Sequence, residues 1–506
     1  MNSQQTSVLI AGAGPTGLTL ACDLARRGIT FRIIDKAQEY FIGSKGKGLQ
    51  PRSLEVMDDF GIVEQVLGNG KFHIPFRGYD GSKVLGEKDM HEGRNPTPNT
   101  PYASSLITPQ WRVEEALRGL LERSGGRVEL GTELTGIDQD ESAITATLRS
   151  DGGEERVVCQ YLVAADGGRS FVRKSLQVPF EGETWKDERM YVGDVRLSGL
   201  DRDAWHSWPN HPDGWLALCP LPSTDTFQLQ AQIPPGEERE PSLELFQKFV
   251  KERTGGMDIQ LTDAPWLSLY RVNVRMVKQY RIGRVFLAGD AAHVHTPAGG
   301  QGMNTGIQDA YNLGWKLEGV LKGTPDALLD TYEEERLPVA ANVLGISTKL
   351  YRQIAGDDEK MRRDAVTLQL GITYKEMSLS KRAGDVTLNL SSGDRAPDAT
   401  GLDSSGKAVR LFDFFRGPQF TLLRLFANPD SGEGGLAGVK YVDVMRARPE
   451  KHSAAQLFVD AFGHLATAYG GGNGEYVLVR PDGYVGWIGL QKDIAGLKEY
   501  PGLQTR

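Results

Sequence analysis

Two glycine-rich stretches carry the residue types and spacings from which chemistry can be read. In "VLIAGAGPTGLTLA", Gly12, Gly14 and Gly17 form G-x-G-x-x-G directly after an apolar run and at the mouth of a helical pattern. Gly12 permits a tight turn, Gly14 lets backbone approach a pyrophosphate, and Gly17 lets helix pack closely on strand. The helix N-terminus favours the negative charge. Asp35 lies 18 residues after Gly17, at the end of a second apolar run, where an acid can hold ribose hydroxyls. With Pro15, Thr16 and Lys36, these residues make a candidate dinucleotide site. The motif does not by itself say which dinucleotide. The second stretch, "RVFLAGDAAHVHTPAGGQGMNTGIQDAYNLGWKL" (284–317), runs from an apolar strand through Gly289 and Asp290 to two histidines, then Pro297, a glycine loop and a helix. So many glycines between strand and helix imply that something large must approach the backbone closely.

That second stretch resembles the second flavin signature of the single-component aromatic hydroxylases, those like para-hydroxybenzoate hydroxylase and phenol hydroxylase. "LVAADGGRSFVR" (162–173) resembles their Asp-Gly motif, and the three motifs come in the family's order over roughly residues 5 to 350. "GGQGMNTG" is most similar to the branch acting on phenols, polyketides and rifampicin. The resemblance implies noncovalent FAD, with Asp290 accepting a hydrogen bond from a ribityl hydroxyl. Pro297 and the glycines at 299, 300 and 302 then make a wall against which a flat ring can lie. The N–H groups of Gly302, Met303 and Asn304 would face the flavin N1–C2 carbonyl edge, where negative charge collects on reduction. Asp166 and Arg169 correspond to family residues that touch FAD and a passing nicotinamide nucleotide. Gln110, in "TPQWRVE", corresponds to a glutamine beside the flavin, and Arg52, in "GLQPRSLEVM", is a further candidate. Lys45 stands where the family often has an arginine, a departure that puts arginine stacking in doubt.

The implied reaction is hydroxylation of a phenolic or polyketide-type ring by NADPH or NADH and dioxygen, through a flavin C4a-hydroperoxide. The cofactor carries the hard chemistry. The sequence names no base for the substrate. Baeyer–Villiger and N-hydroxylating variants use the same fold, and a flavin-binding module without turnover is the alternative from another class. A flavin-dependent halogenase would carry W-x-W-x-I-P, which is missing here. His293 and His295 form H-x-H without a supporting acid cluster and read as structural rather than metal-binding. Trp205, Trp208, Trp215 and Tyr191 could line an aromatic pocket or simply fill a core.

The elements that must position these residues follow from hydrophobic pattern. The fold class is α/β: a Rossmann-like FAD-binding domain (1–73, 101–187 and 276–324) with an inserted, mostly antiparallel β substrate domain (74–100 and 188–275). A helical segment (325–392), with Pro338 and Gly345 interrupting its pattern, leads to a thioredoxin-like domain (393–506). That last domain lacks C-x-x-C, since no cysteine lies beyond Cys219, and is expected to serve packing or self-association. A chain of 506 residues is too long for one core, which fits this division. The net charge of −8 and the absence of basic runs argue against nucleic acid or anionic membranes as partners. No signal peptide and no stretch of about 18 apolar residues is found, and Cys22, Cys159 and Cys219 are far apart. The expectation is a cytoplasmic protein, a homodimer, with an aromatic small molecule and dioxygen as its reaction partners.

Overall fold

The computed structural model describes residues 4–234, 236, 239–355, 367–426, 436–449, 456–472 and 474–503. Its first layer is a sheet whose five parallel strands lie in the order Val285–Leu287, Gly153–Ala164, Gln4–Ala11, Phe31–Ile34 and Val128–Glu129. Their apolar runs are nearly continuous because helices cover both faces; Val8, Leu9, Ile10, Leu162 and Phe286 are fully buried. Antiparallel strands Glu133–Gln139, Ile144–Ser150 and Arg281–Ile282 extend the layer.

The register of this sheet decides where the motifs fall. Ile34, Ala11, Ala164 and Leu287 stand opposite one another across four adjacent strands. The chain therefore leaves the sheet at one edge, side by side, at Asp35, Gly12, Ala165 and Ala288. Ligands of open α/β sheets bind outside this carboxyl edge.

Two helices run back from the edge, Pro15–Arg26 and Gly302–Leu321, and glycine lets them touch. A Cβ on Gly306 would overlap the Thr16 side chain, and one on Gly314 would overlap the Asp23 carboxylate. The helix that follows, Asp330–Ala355, passes through Pro338 and Gly345 without a break. The sequence expectation of an interruption there is corrected. Proline removes one intrahelical hydrogen bond and crowds one carbonyl. Against that loss, the preceding turn is held by Glu335 and Arg336, both fully buried and ion-paired to Lys316, Arg480 and Asp309.

A second sheet of eight strands stands over the edge. Its central strands are Gln260–Met276, Glu181–Ser198, Phe227–Gln232 and Leu216–Pro220, all antiparallel. The excursion near residue 80 adds strands Phe76–Asp80 and Lys83–Lys88 beyond Trp205–Trp208. Alternation sorts the two faces. Tyr191, Val195, Leu218, Phe227 and Leu229 pack with Phe246, Phe249 and Val250 of helix Leu243–Arg253. Asp194, Gln228 and Trp266 belong to the opposite face and meet the first layer.

The thioredoxin-like domain is a third, mixed sheet of eight strands around Phe420–Leu425, Val439–Met445 and Glu475–Val479. A buried ion pair fastens it to the rest: Arg480 meets Glu335 at 2.5 Å, both fully buried, while Asp482 of the same domain braces Arg480 at 2.5 Å. The three cysteines are free thiols, all buried. Among the described residues no helix is long and apolar enough to cross a membrane.

Candidate active site

The first helix begins without a side-chain cap and without an acid in its first turn. Its N-terminal N–H groups are thus left for an external acceptor. The three motif glycines divide the work. A Cβ on Gly12 would lie 2.6 Å from the Ala165 carbonyl carbon and 2.9 Å from the Asp166 nitrogen, and one on Gly17 would overlap the Gly12 carbonyl. Both therefore serve packing. Gly14 differs, because a Cβ there would meet nothing within 4 Å. It borders open space at the helix mouth, as a cradle for phosphate requires. Pro15 is the first helical residue, where its missing N–H costs nothing. Thr16 is a packing residue, its Oγ1 2.5 Å from where a Cβ on Gly289 would stand.

Asp35 accepts the Ala13 N–H at 2.9 Å through Oδ2 and the Ala37 N–H at 2.9 Å through Oδ1. Its carboxylate is half-buried and anchored beside the turn, with lone pairs remaining for hydroxyl donors. Lys36, just beyond, is exposed. Asp166 accepts from Phe171 N and Val172 N through Oδ2, so it caps the short helix Phe171–Ser175. Its Oδ1 is buried and has no partner among the described residues. Arg169 is exposed, whereas Arg173 is spent on the carbonyls of Ala291 and Gly168.

The second signature is fixed from behind. Asp309, fully buried on the Gly302 helix, accepts the Gly289 N–H at 3.1 Å, His293 Nε2 at 2.7 Å and Arg336 Nε at 2.8 Å. Burial would raise its pKa, but the charges of Arg336 and His293 hold it below the usual carboxylate range. Gly289, at φ 58°, takes the turn that exposes Asp290 at the sheet edge. His295 lies just under the glycine loop: its Nδ1 meets the Thr296 carbonyl at 2.8 Å, and burial lowers its pKa. Both histidines are thus held by protein groups, and no group of three or more metal-ligating side chains occurs among the described residues.

Pro297 is exposed, and Gly299 and Gly300 adopt φ of 80° and 63°. The Gly302 helix begins, like the first helix, without a side-chain cap or an early acid. Asn304 ties this helix to the layer beneath. It accepts the Gln50 N–H at 2.8 Å and donates to the carbonyls of Gly48 and Gly300 at 2.9 and 2.7 Å. Gln110 opens helix Gln110–Arg123 and exchanges hydrogen bonds with Gly46, at 3.1 Å to its N–H and 3.0 Å to its carbonyl. Met303 is 3.8 Å from where a Cβ on Gly46 would be, so Gly46, Gln110 and Met303 share one wall. Behind Gln110 stands Glu114, which accepts its amide at 2.8 Å and is pushed up to about 7 by burial.

Two sequence candidates fall elsewhere. Arg52 is buried against the C-terminal domain, donating to the Asp482 carbonyl at 2.5 Å and pairing with Glu55 at 2.7 Å. It is corrected from a cofactor contact to an interdomain tie, its guanidinium shared between Glu55 of its own helix and the Asp482 carbonyl of the C-terminal domain. Lys45 is exposed and directs its ammonium to the Phe41 ring, 4.6 Å away. Among the aromatics, Tyr191 and Trp208 belong to the core under the helix. Trp205 stacks on Phe76 at 4.3 Å and receives the Lys47 ammonium 4.1 Å from its ring.

Sequence reasoning missed Asp309, Glu114, Gln50 and Asp194. An acid inside the apolar run "GIQDAYNLGW" was the available signal for Asp309; for Asp194 there was none, because its partner is 150 positions away.

Uncapped helix N-termini, open space at Gly14, the unpartnered Asp166 oxygen and the exposed Asp290 converge on one edge. An edge built this way fits a dinucleotide cofactor, and comparison with known proteins shows the family. A family model described as an FAD binding domain matches residues 5–347, and one described as aromatic-ring hydroxylase, C-terminal, matches 390–501. A flavin-dependent monooxygenase of Mycobacteroides abscessus is 44% identical, covering 95% of this chain and 96% of its own. The 6-methylpretetramide 4-monooxygenase of Streptomyces rimosus is 34% identical over 94% and 90% of the two chains. A solved aklavinone-11 hydroxylase, in complex with FAD and aklavinone, superposes with a TM-score of 0.81 at 25% identity, covering 99% of this chain and 100% of that one. The chain belongs to the flavin-dependent aromatic-ring monooxygenases, with FAD as cofactor.

Proposed function

We propose that the chain uses NADPH or NADH and dioxygen to hydroxylate a phenolic or polyketide-type aromatic compound. The overall balance is NAD(P)H, H+, O2 and an aromatic C–H giving NAD(P)+, water and an aromatic C–OH. The observation that carries the reading is the flush edge of four strands, from which both glycine motifs and the acids Asp35, Asp166 and Asp290 project together. FAD bound there supplies hydride acceptance and oxygen activation.

The chain's own residues do the rest. The first helix N-terminus and Gly14 receive the pyrophosphate, and Asp35 takes ribose hydroxyls. Asp290 takes a ribityl hydroxyl, while the N–H groups opening the Gly302 helix stabilise charge on the adjoining carbonyl edge. The middle sheet covers the edge and keeps water from the reacting centre. The pentachlorophenol 4-monooxygenase of Sphingobium chlorophenolicum, 32% identical over 96% of this chain and 94% of its own, supports a phenolic substrate. The 6-methylpretetramide 4-monooxygenase above supports a polyketide-type substrate.

The test combines binding with turnover. Purified protein should be yellow and should oxidise NADPH faster with one member of a panel of phenols and polyketide aromatics, giving a product heavier by one oxygen atom. Asp290→Ala should purify with little FAD. Gly14→Val should fold normally, because its side chain enters open space, yet fail to bind FAD. A yellow protein whose NADPH oxidation no aromatic accelerates would overturn the hydroxylase reading.

A further inference from the structure

Residues 41–47 leave the first layer, cross to the middle sheet and return, and three side chains on adjacent strands receive them. Trp266, Asp194 and Gln228 are direct cross-strand neighbours. Trp266 covers Gly43, where a Cβ would lie 2.6 Å from its indole, and meets Phe41 edge-on with centroids 5.6 Å apart. Asp194 accepts the Ser44 N–H at 2.8 Å, and the Gln228 amide donates to the Ser44 carbonyl. Both polar groups of one backbone residue are thus met by side chains of the sheet. Gln228 also accepts from Lys47, whose ammonium rests over Trp205. Between these two grips lies Gly46, hydrogen-bonded both ways to Gln110 and close to Met303.

Loop backbone buried against a sheet needs partners wherever it lies, so the contacts alone would describe packing. Two further facts separate this loop from packing. The loop touches the middle sheet at Ser44 and the cofactor wall at Gly46, two residues apart, so a shift at one end reaches the other. And the acceptor is a carboxylate 2% exposed, whose second oxygen is buried without a partner among the described residues.

We infer that Asp194 and Gln228 are positioning residues for the flavin, clamping the Ser44 strap so that Gly46 fixes Gln110 on the cofactor wall. The inference rests on the flavin reading above and adds to it a mechanical link between the middle sheet and the cofactor. Neither residue touches the reacting atoms in this account.

The test uses apoprotein of the full chain, titrated with FAD while flavin fluorescence and the visible absorption band are followed. Asp194→Ala and Gln228→Met should each weaken FAD binding about tenfold, the scale of one lost buried hydrogen bond, and change the shape of the bound flavin band. Asp194→Asn keeps an oxygen for the Ser44 N–H and should bind FAD within about threefold of wild type. Should Asp194→Ala fail to fold, Gln228→Met and Asp194→Asn carry the comparison, since neither leaves an unmatched cavity. Folded variants with wild-type affinity and an unchanged band overturn this inference alone. Wild-type protein that takes up no FAD overturns the flavin reading and this inference with it.

Discussion

Glu114 is the carboxylate whose environment most opposes its charge on the cofactor wall. It is 4% exposed, and burial pushes it up to about 7 from an ordinary 4.5, with the Gln110 hydrogen bond and the Arg118 and Lys45 charges working the other way. Because the folded-state value lies above the unfolded one, the folded chain binds more protons between pH 4.5 and about 7. The stability this gives is complete below the unfolded value and is lost as pH rises through about 7. Glu114→Gln should therefore unfold later than wild type at pH 8, by on the order of 3 kcal/mol, with the gap closing near pH 4.5. Urea unfolding at the two pH values checks this, and a gap independent of pH would contradict it. At this scale the sequence is legible where spacing is short. Gly12, Gly14, Gly17 and Asp35 follow from one βαβ unit, and their positions agree with it. Arg52 does not, because the direction of a long side chain is decided by Asp482, 430 residues later.

Helices and strands bring the two glycine motifs together through contacts that leave no room for a side chain. Thr16 of the first helix sits against both Gly289 and Gly306, so one threonine gauges the spacing between the two signatures. Gly306→Val should force the helices apart, costing about 1–3 kcal/mol as overpacking does, and should weaken FAD binding in the same variant. Thermal melts and FAD titration together decide it; a destabilised protein with undiminished FAD affinity would show that the helix spacing is not what sets the site. The βαβ strands were readable from short continuous apolar runs bounded by turn residues, and the Gln110 helix from the apolar stripe it buries. The passage of helix Asp330–Ala355 through Pro338 was not, since its tolerance comes from ion pairs made by Glu335 and Arg336 to distant segments. The same holds for the strap on the middle sheet, which depends on a register between strands that no local pattern reveals.

Over the whole molecule, the third domain is joined to the flavin domain by buried charge rather than by a greasy seam alone. Arg480, braced by Asp482 of its own domain, engages Glu335, and Lys316 of the flavin domain shares Glu335 at 2.8 Å. Burial draws Lys316 down to about 8, partly offset by Glu335. Removing one member leaves the others dry and unpaired, which costs about 3–5 kcal/mol. Arg480→Met should lower stability by that order, and calorimetry should show whether the two domains then melt apart. A variant as stable as wild type would mean the network is solvated. The three thiols bear on a hazard of this chemistry. A flavin hydroxylase that wastes a cycle releases hydrogen peroxide, and peroxide attacks thiolates. Burial pushes Cys22 and Cys159 up to about 12 and Cys219 up to about 11, so at neutral pH each stays protonated and shielded. Any peroxide released by a wasted cycle would therefore find no exposed thiolate, and all three sulfhydryls should still be counted, after unfolding, following an uncoupled run.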